Sequence, residues 1–146
     1  HLVLVGDGPL RAEVEGRVTA LGLGERVRLL GLRRDVPRLL PAFDVFALTS
    51  RWEGLPRVFP QAMAASLPIV FACQTYRDPV AMGGGGWSIA PDDAEGLATA
   101  LTAVADLDPE RRARMGAAGR SVLEREHDMA GISGTVATIV GCEVPT

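Results

Sequence analysis

The sequence predicts an α/β fold with a doubly wound parallel sheet, and three observations carry that prediction. Short unbroken apolar runs such as Val45-Phe46-Ala47-Leu48 have the length and continuity of strands buried on both faces. They alternate with longer segments of helical apolar spacing, the order that builds parallel strands joined by crossover helices. The composition agrees: 47% of residues are apolar and only 5% aromatic, and glycine punctuates the ends of the runs. At 146 residues the chain can bury one substantial core.

Leu2-Val3-Leu4-Val5 reads as a central strand, ended by Gly6-Asp7-Gly8-Pro9. Pro9 suits the first position of a helix running to about Leu21, with Leu10, Val14, Val18 and Leu21 on one face and Gly22 and Gly24 closing it. Residues 26–30 form a second strand, 31–35 a loop, 36–41 a short helix and 44–48 a third strand. The stretch from Ser50 onward turns at Gly54 and Pro56 and enters an alanine-rich helix. Residues 67–72 are another strand. Residues 73–86 read as irregular, their four final glycines as a flexible connector, and 87–90 as a last strand. Asp92 or Asp93 can cap a helix over 94–105. Asp108-Pro109-Glu110 begins another that reaches about Arg125, with a capping carboxylate, proline first and an acid in the first turn. Met129, Ile132, Val136 and Ile139 lie at helical spacing in an uncharged stretch, 129–142, that must pack against another surface.

The net charge of −3 offers no electrostatic footprint for nucleic acid. All 15 basic residues are arginine, so no lysine is present for Schiff-base or phosphate chemistry. Cys73 and Cys142 fit no metal or redox spacing and read as reduced, buried thiols of a cytosolic protein. No signal peptide or membrane span is visible, and the opening strand-like run without an initiator methionine points to a fragment.

The chemistry concentrates between the third strand and the alanine-rich helix. A strand, a tight turn and a helix in that order leave backbone N–H groups at the helix start, a natural anion site. The donors there are the N–H groups of Leu55, Arg57 and Val58, while Pro56 shapes the turn without donating. Gly54 allows close approach of a ligand. Glu53 can accept hydrogen bonds from sugar hydroxyls, and Gln61, four residues after Arg57, can bond a ribose. Gly6 and Gly8 form a strand–helix turn that could lie beside the same ligand. Plainer readings stand next to each of these: a capped turn at Glu53-Gly54, a solvated Gln61, a surface Arg57, an ordinary turn at Gly6-Asp7-Gly8. His127 reads as structural or exposed, His1 has no evident partner, and Trp52 and Trp87 read as packing residues.

Ser50-Arg51-Trp52-Glu53-Gly54-Leu55-Pro56, followed by Val58, Ala62-Met63-Ala64-Ala65 and Leu67-Pro68-Ile69-Val70, resembles the donor-binding motif of the retaining glycosyltransferases of GT-B fold, family 4. Leu4 to Leu10, the loop after Val27 with Gly31, and two downstream segments agree with that family, so the similarity covers about residues 2–128. It implies a Rossmann-like C-terminal half, residues 1–127, lacking its first strand and helix. Residues 128–146 would be an apolar helix and tail, packed on this domain or on an absent N-terminal half. The implied function is transfer of a sugar from a nucleotide-diphosphate donor to an acceptor with retention of configuration. The acceptor, a sugar, lipid or small molecule, would be bound by the N-terminal half. Any membrane association, peripheral and at the inner face, would also come from that half. By the same resemblance Glu53 contacts the donor sugar and Leu55, Arg57 and Val58 offer amides to the phosphates. Gln61 stands where a glutamate holds the ribose, and Leu32 and Arg33 lie beside the base. The family needs no cofactor and no obligatory metal, and the isolated fragment is expected to turn over little.

The sequence departs from the pattern at several positions. Gln61 replaces glutamate, Ser66 stands where glycine is usual, Pro60 falls in the expected helix, and Thr75, Tyr76 and Pro79 replace a glycine pair and a glutamate. Two alternatives therefore stay open: a non-catalytic or degenerate nucleotide-sugar-binding domain, and a nucleotide-sugar epimerase of the same architecture.

Overall fold

A computed structural model describes residues 1–53, 56–72, 83 and 85–126, and among these residues five strands form two sheets, each parallel within itself. They lie in two compact units, His1–Arg38 and Leu39–Thr146. Cys73, Thr75, Tyr76, Pro79, His127, the apolar segment 129–142 and Cys142 lie outside the described residues.

In the first unit β1 (Leu2–Leu4) pairs with β2 (Val27–Leu29), Leu2 opposite Val27 and Leu4 opposite Leu29. Helix α1 (Arg11–Ala20) connects them. It begins two residues after Pro9, so Leu10, 64% exposed, and Leu21, 70% exposed, fall outside it. That corrects the expected apolar face, which holds only for the half-buried Val14 and Val18. The helix ends as anticipated at Gly22, whose φ of +65° is a left-handed conformation that suits glycine. The Gly22 N–H reaches Thr19 O at 3.0 Å and the Leu23 N–H reaches Val18 O at 2.9 Å, a two-bond closure of the last turn.

Helix α2 (Val36–Leu39) and a 3-10 turn, Leu40–Ala42, lead into the second unit. There β3 (Phe46–Leu48), β4 (Ile69–Phe71) and β5 (Gly86–Ser88) form one sheet with β4 in the middle. Every residue of β4 is buried, as its unbroken apolar run requires. Val70 joins a cluster with Ala100 and Val104 of α4 (Ala94–Ala105), against which Trp87, Leu97 and Leu101 pack. Phe71 meets Phe59 of α3 (Val58–Ala64) edge to face, centroids 5.0 Å apart and planes at 75°. Helices therefore cover both faces of this sheet, which is what doubly wound means.

Helix α5 (Pro109–Glu126) packs against α3 and β5. Its start is the expected one: the Asp108 carboxylate accepts from the Arg111 N–H at 2.8 Å. Asp93 caps α4 likewise, accepting from the Gly96 N–H at 2.8 Å. The glycines before β5 are not a slack connector at their end. A Cβ on Gly85 would stand 2.8 Å from the Cα of Gly119, and one on Gly86 would overlap the Ile69 carbonyl. The strand accordingly begins at Gly86, one residue earlier than the reading from Trp87, because only glycine lets these backbones approach so closely.

Candidate functional site

The segment that follows β3 holds most of the candidate residues. Ser50 donates its hydroxyl to Glu53 Oε1 at 2.6 Å, and both side chains are half-buried. The Glu53 carboxylate is thus oriented by a residue that the sequence reading left without a role. The spacing Ser-x-x-Glu, familiar from helix starts, was the available signal. Arg51, between Ser50 and Glu53, holds Asp92 at 2.9 Å. Trp52 is 68% exposed, which overturns its expected packing role. Trp87, in contrast, packs as expected.

Gly54 and Leu55 lie outside the described residues. Pro56 is buried, and its carbonyl accepts the N–H of Phe59 at 2.8 Å. Helix α3 then begins at Val58, later than the expected start near Pro56, with exposed Arg57 as its N-cap residue. Among the described residues no partner takes the N–H of Arg57 or Val58. Phe59, Ala62 and Met63 form the buried face of α3, and half-buried Gln61 projects from another side. Pro60 is the third helical residue, where an N–H has no intrahelical partner, so it removes no ladder bond.

Ser66 explains the usual glycine at its position. It sits at φ +55°, directly after α3. Its N–H bonds Met63 O at 2.9 Å and the Leu67 N–H bonds Ala62 O at 3.2 Å. This is the same closure that Gly22 makes after α1, with a serine in the left-handed position.

The remaining candidates lie in the first unit. Gly6, φ +142°, donates its N–H to Gly31 O at 2.9 Å, so the carboxyl ends of β1 and β2 meet through two glycines of positive φ. Gly8 has open space around it and is held by the Asp7 carboxylate, which accepts its N–H at 2.8 Å. Leu32 is 77% exposed beside Arg33. Asp35, not singled out from sequence, grips the Arg33 guanidinium through two bonds, 2.8 Å to Nε and 2.7 Å to Nη2. That hydrogen bonding holds the Asp35 carboxyl below its ordinary range and raises the Arg33 guanidinium.

Among the described residues no group of three His, Cys, Asp or Glu side chains could hold a metal ion, and no helix is long and apolar enough to cross a membrane. The second unit offers an oriented carboxylate and the amides of a helix start, and the first unit, taken by itself, a braced guanidinium.

Comparison with known proteins bears on the chain as a whole. The chain is 32% identical over 135 residues to the GDP-mannose-dependent monoacylated alpha-(1-6)-phosphatidylinositol monomannoside mannosyltransferase of Corynebacterium glutamicum, covering 86% of this chain and 35% of that protein. Over 69 residues it is 42% identical to the UDP-Gal:alpha-D-GlcNAc-diphosphoundecaprenol alpha-1,3-galactosyltransferase of Escherichia coli, covering 47% of this chain and 18% of that one. The solved Anabaena Alr3699/HepE protein in complex with UDP and glucose matches at a TM-score of 0.79 and 27% identity, over 95% of this chain and 40% of that chain. The chain thus spans well under half the length of each of these proteins. Its α/β architecture with parallel sheets is that of GT-B glycosyltransferases. The profile described as Glycosyl transferases group 1 matches residues 1–106, and on that match the chain belongs to the glycosyl transferases group 1 family.

Proposed function

We propose that this chain is the nucleotide-sugar-binding, C-terminal part of a retaining, family 4 glycosyltransferase. In that reading Glu53 positions the donor sugar, and the amides of Leu55, Arg57 and Val58 take the diphosphate, with Gly54 admitting it. Gln61 bonds the ribose, and Leu32 and Arg33 flank the base, with Gly6 and Gly8 near the ligand. The observation that carries the reading is the Ser50–Glu53 bond of 2.6 Å. It fixes a carboxylate just beyond the carboxyl end of β3, the edge at which parallel α/β sheets bind ligands. Support for the donor class comes from relatives: the Anabaena protein was solved with UDP-glucose, and the Corynebacterium enzyme is named GDP-mannose-dependent.

In the whole enzyme the bond from sugar to diphosphate would break through an oxocarbenium-like state. Catalysis would be mainly electrostatic, the leaving diphosphate being stabilised by amides and by basic groups. A cytoplasmic location goes with this reading, and the acceptor belongs to the part of the protein beyond this chain. Gln61 favours one second reading, a binding domain without transfer, since an amide bonds ribose hydroxyls more weakly than a carboxylate.

Calorimetric titration with UDP, GDP and ADP and their sugar forms tests the assignment. Glu53→Ala is expected to weaken a sugar form by about tenfold, the worth of a hydrogen bond to a charged group, and to leave the plain diphosphate unchanged. Equal weakening of both would remove the sugar role from Glu53, and no binding of any of these nucleotides would refute the donor reading.

A further inference from the structure

Arg51 and Asp92 are separated by 40 intervening residues yet bonded at 2.9 Å, Nε to Oδ1. Arg51 follows β3 by three residues and Asp92 follows β5 by four. In the order β3-β4-β5 these are the two outer strands, so the pair ties their carboxyl ends to each other. Asp92 is also an unusual choice for its place. With Pro91 it occupies the middle of a turn closed by the Asp93 N–H on Ala90 O at 3.3 Å, and its φ is +62°. A turn that has proline first and a positive φ second favours glycine or asparagine at the second position. Aspartate there keeps a left-handed backbone and adds the one thing the favoured residues lack, a charge, and that charge meets Arg51.

We infer that Asp92 is a positioning residue, which through Arg51 holds the Ser50–Glu53 turn and so presents the Glu53 carboxylate. The turn is restrained from within through the Ser50 hydroxyl and from across the sheet through Asp92. Both partners of the ion pair are more than half exposed, so the tie is modest and salt-sensitive. The inference rests on the donor reading only where Glu53 is assigned the sugar.

Asp92→Asn in the full 146-residue chain isolates the charge, because asparagine accepts the same backbone. The first readout needs no ligand: backbone 15N order parameters of Arg51, Trp52 and Glu53. They are expected to fall from about 0.85 towards about 0.6 in Asp92→Asn, and to fall likewise in the unaltered chain at high salt. Order parameters unchanged in both cases overturn the inference. The salt series requires no variant, so a fold lost on substitution leaves the test intact, and Arg51→Gln serves as the second variant. The other readout is selective affinity. Asp92→Asn is expected to weaken UDP-glucose by about threefold, the scale of an exposed pair, while UDP alone is unchanged. If the unaltered chain binds UDP-glucose and the variant binds it equally well, the positioning role is refuted. If the unaltered chain binds neither nucleotide, the donor reading fails, and the order parameters still decide the tie.

Discussion

Ser66 stores strain at the end of the helix that carries Gln61. A non-glycine residue in the left-handed region costs about 1 kcal/mol, and glycine recovers it at some expense in unfolded-chain entropy. Ser66→Gly is therefore expected to stabilise the protein by about 0.5 kcal/mol, read as a higher urea midpoint. Asp35 offers a second single-residue prediction, this time in pH. Its carboxyl is lowered by the hydrogen bond from Arg33, so the pair is intact above the ordinary carboxylate range. It comes apart only as pH falls through the lowered value. A carboxyl NMR titration of Asp35 should inflect below the ordinary position, and Arg33→Gln should return it there. Neither Ser66's conformation nor Asp35's bond was readable in advance. The oddity of a serine at the glycine position was visible, but its φ depends on where α3 ends. The Arg33–Asp35 grip depends on how a loop folds back within three residues.

Among the elements, α5 is placed by what its glycines lack. A Cβ on Gly116 would overlap the Ser66 carbonyl, and Gly119 lies against Gly85. Alanine normally favours a helix interior over glycine by about 1 kcal/mol. At Gly116 the sign should reverse, with Gly116→Ala destabilising by about 1–3 kcal/mol through overpacking. Gly16 of α1 is the control, since nothing lies within 4 Å of its Cβ position and Gly16→Ala should stabilise. Arg120 adds to the same contact, donating to the Ala64 carbonyl at 3.2 Å in the last turn of α3. Elements themselves were the most legible level. Each of the five strands among the described residues was expected, β1, β3 and β4 from their apolar runs, and capping, a local signal, pointed to Asp108 while leaving Asp92 and Asp93 as alternatives. The closeness of α5 to α3 was not, since a glycine within a helical pattern reads only as a weak helix former. The site divides the same way. The turn around Glu53 stood out by residue type and order, whereas Asp92, far along the chain, could be joined to it only by tertiary structure.

For the whole molecule, burial is uneven. Among the described residues every fully buried apolar side chain, from Leu40 to Val122, belongs to the second unit, and α1 has no buried residue. Local opening follows burial. Among the described residues amide exchange is therefore expected to be faster within residues 1–38 than along β4, and equal protection of the two would contradict this account of the core. The placement of the two tryptophans has a practical consequence. Trp87 rests on the apolar cluster and Trp52 stands in water one residue from Glu53. The two tryptophans thus report separately, Trp87 on unfolding and, under the proposed donor reading, Trp52 on binding at the turn, so that occupancy and integrity can be followed in a single unlabelled sample.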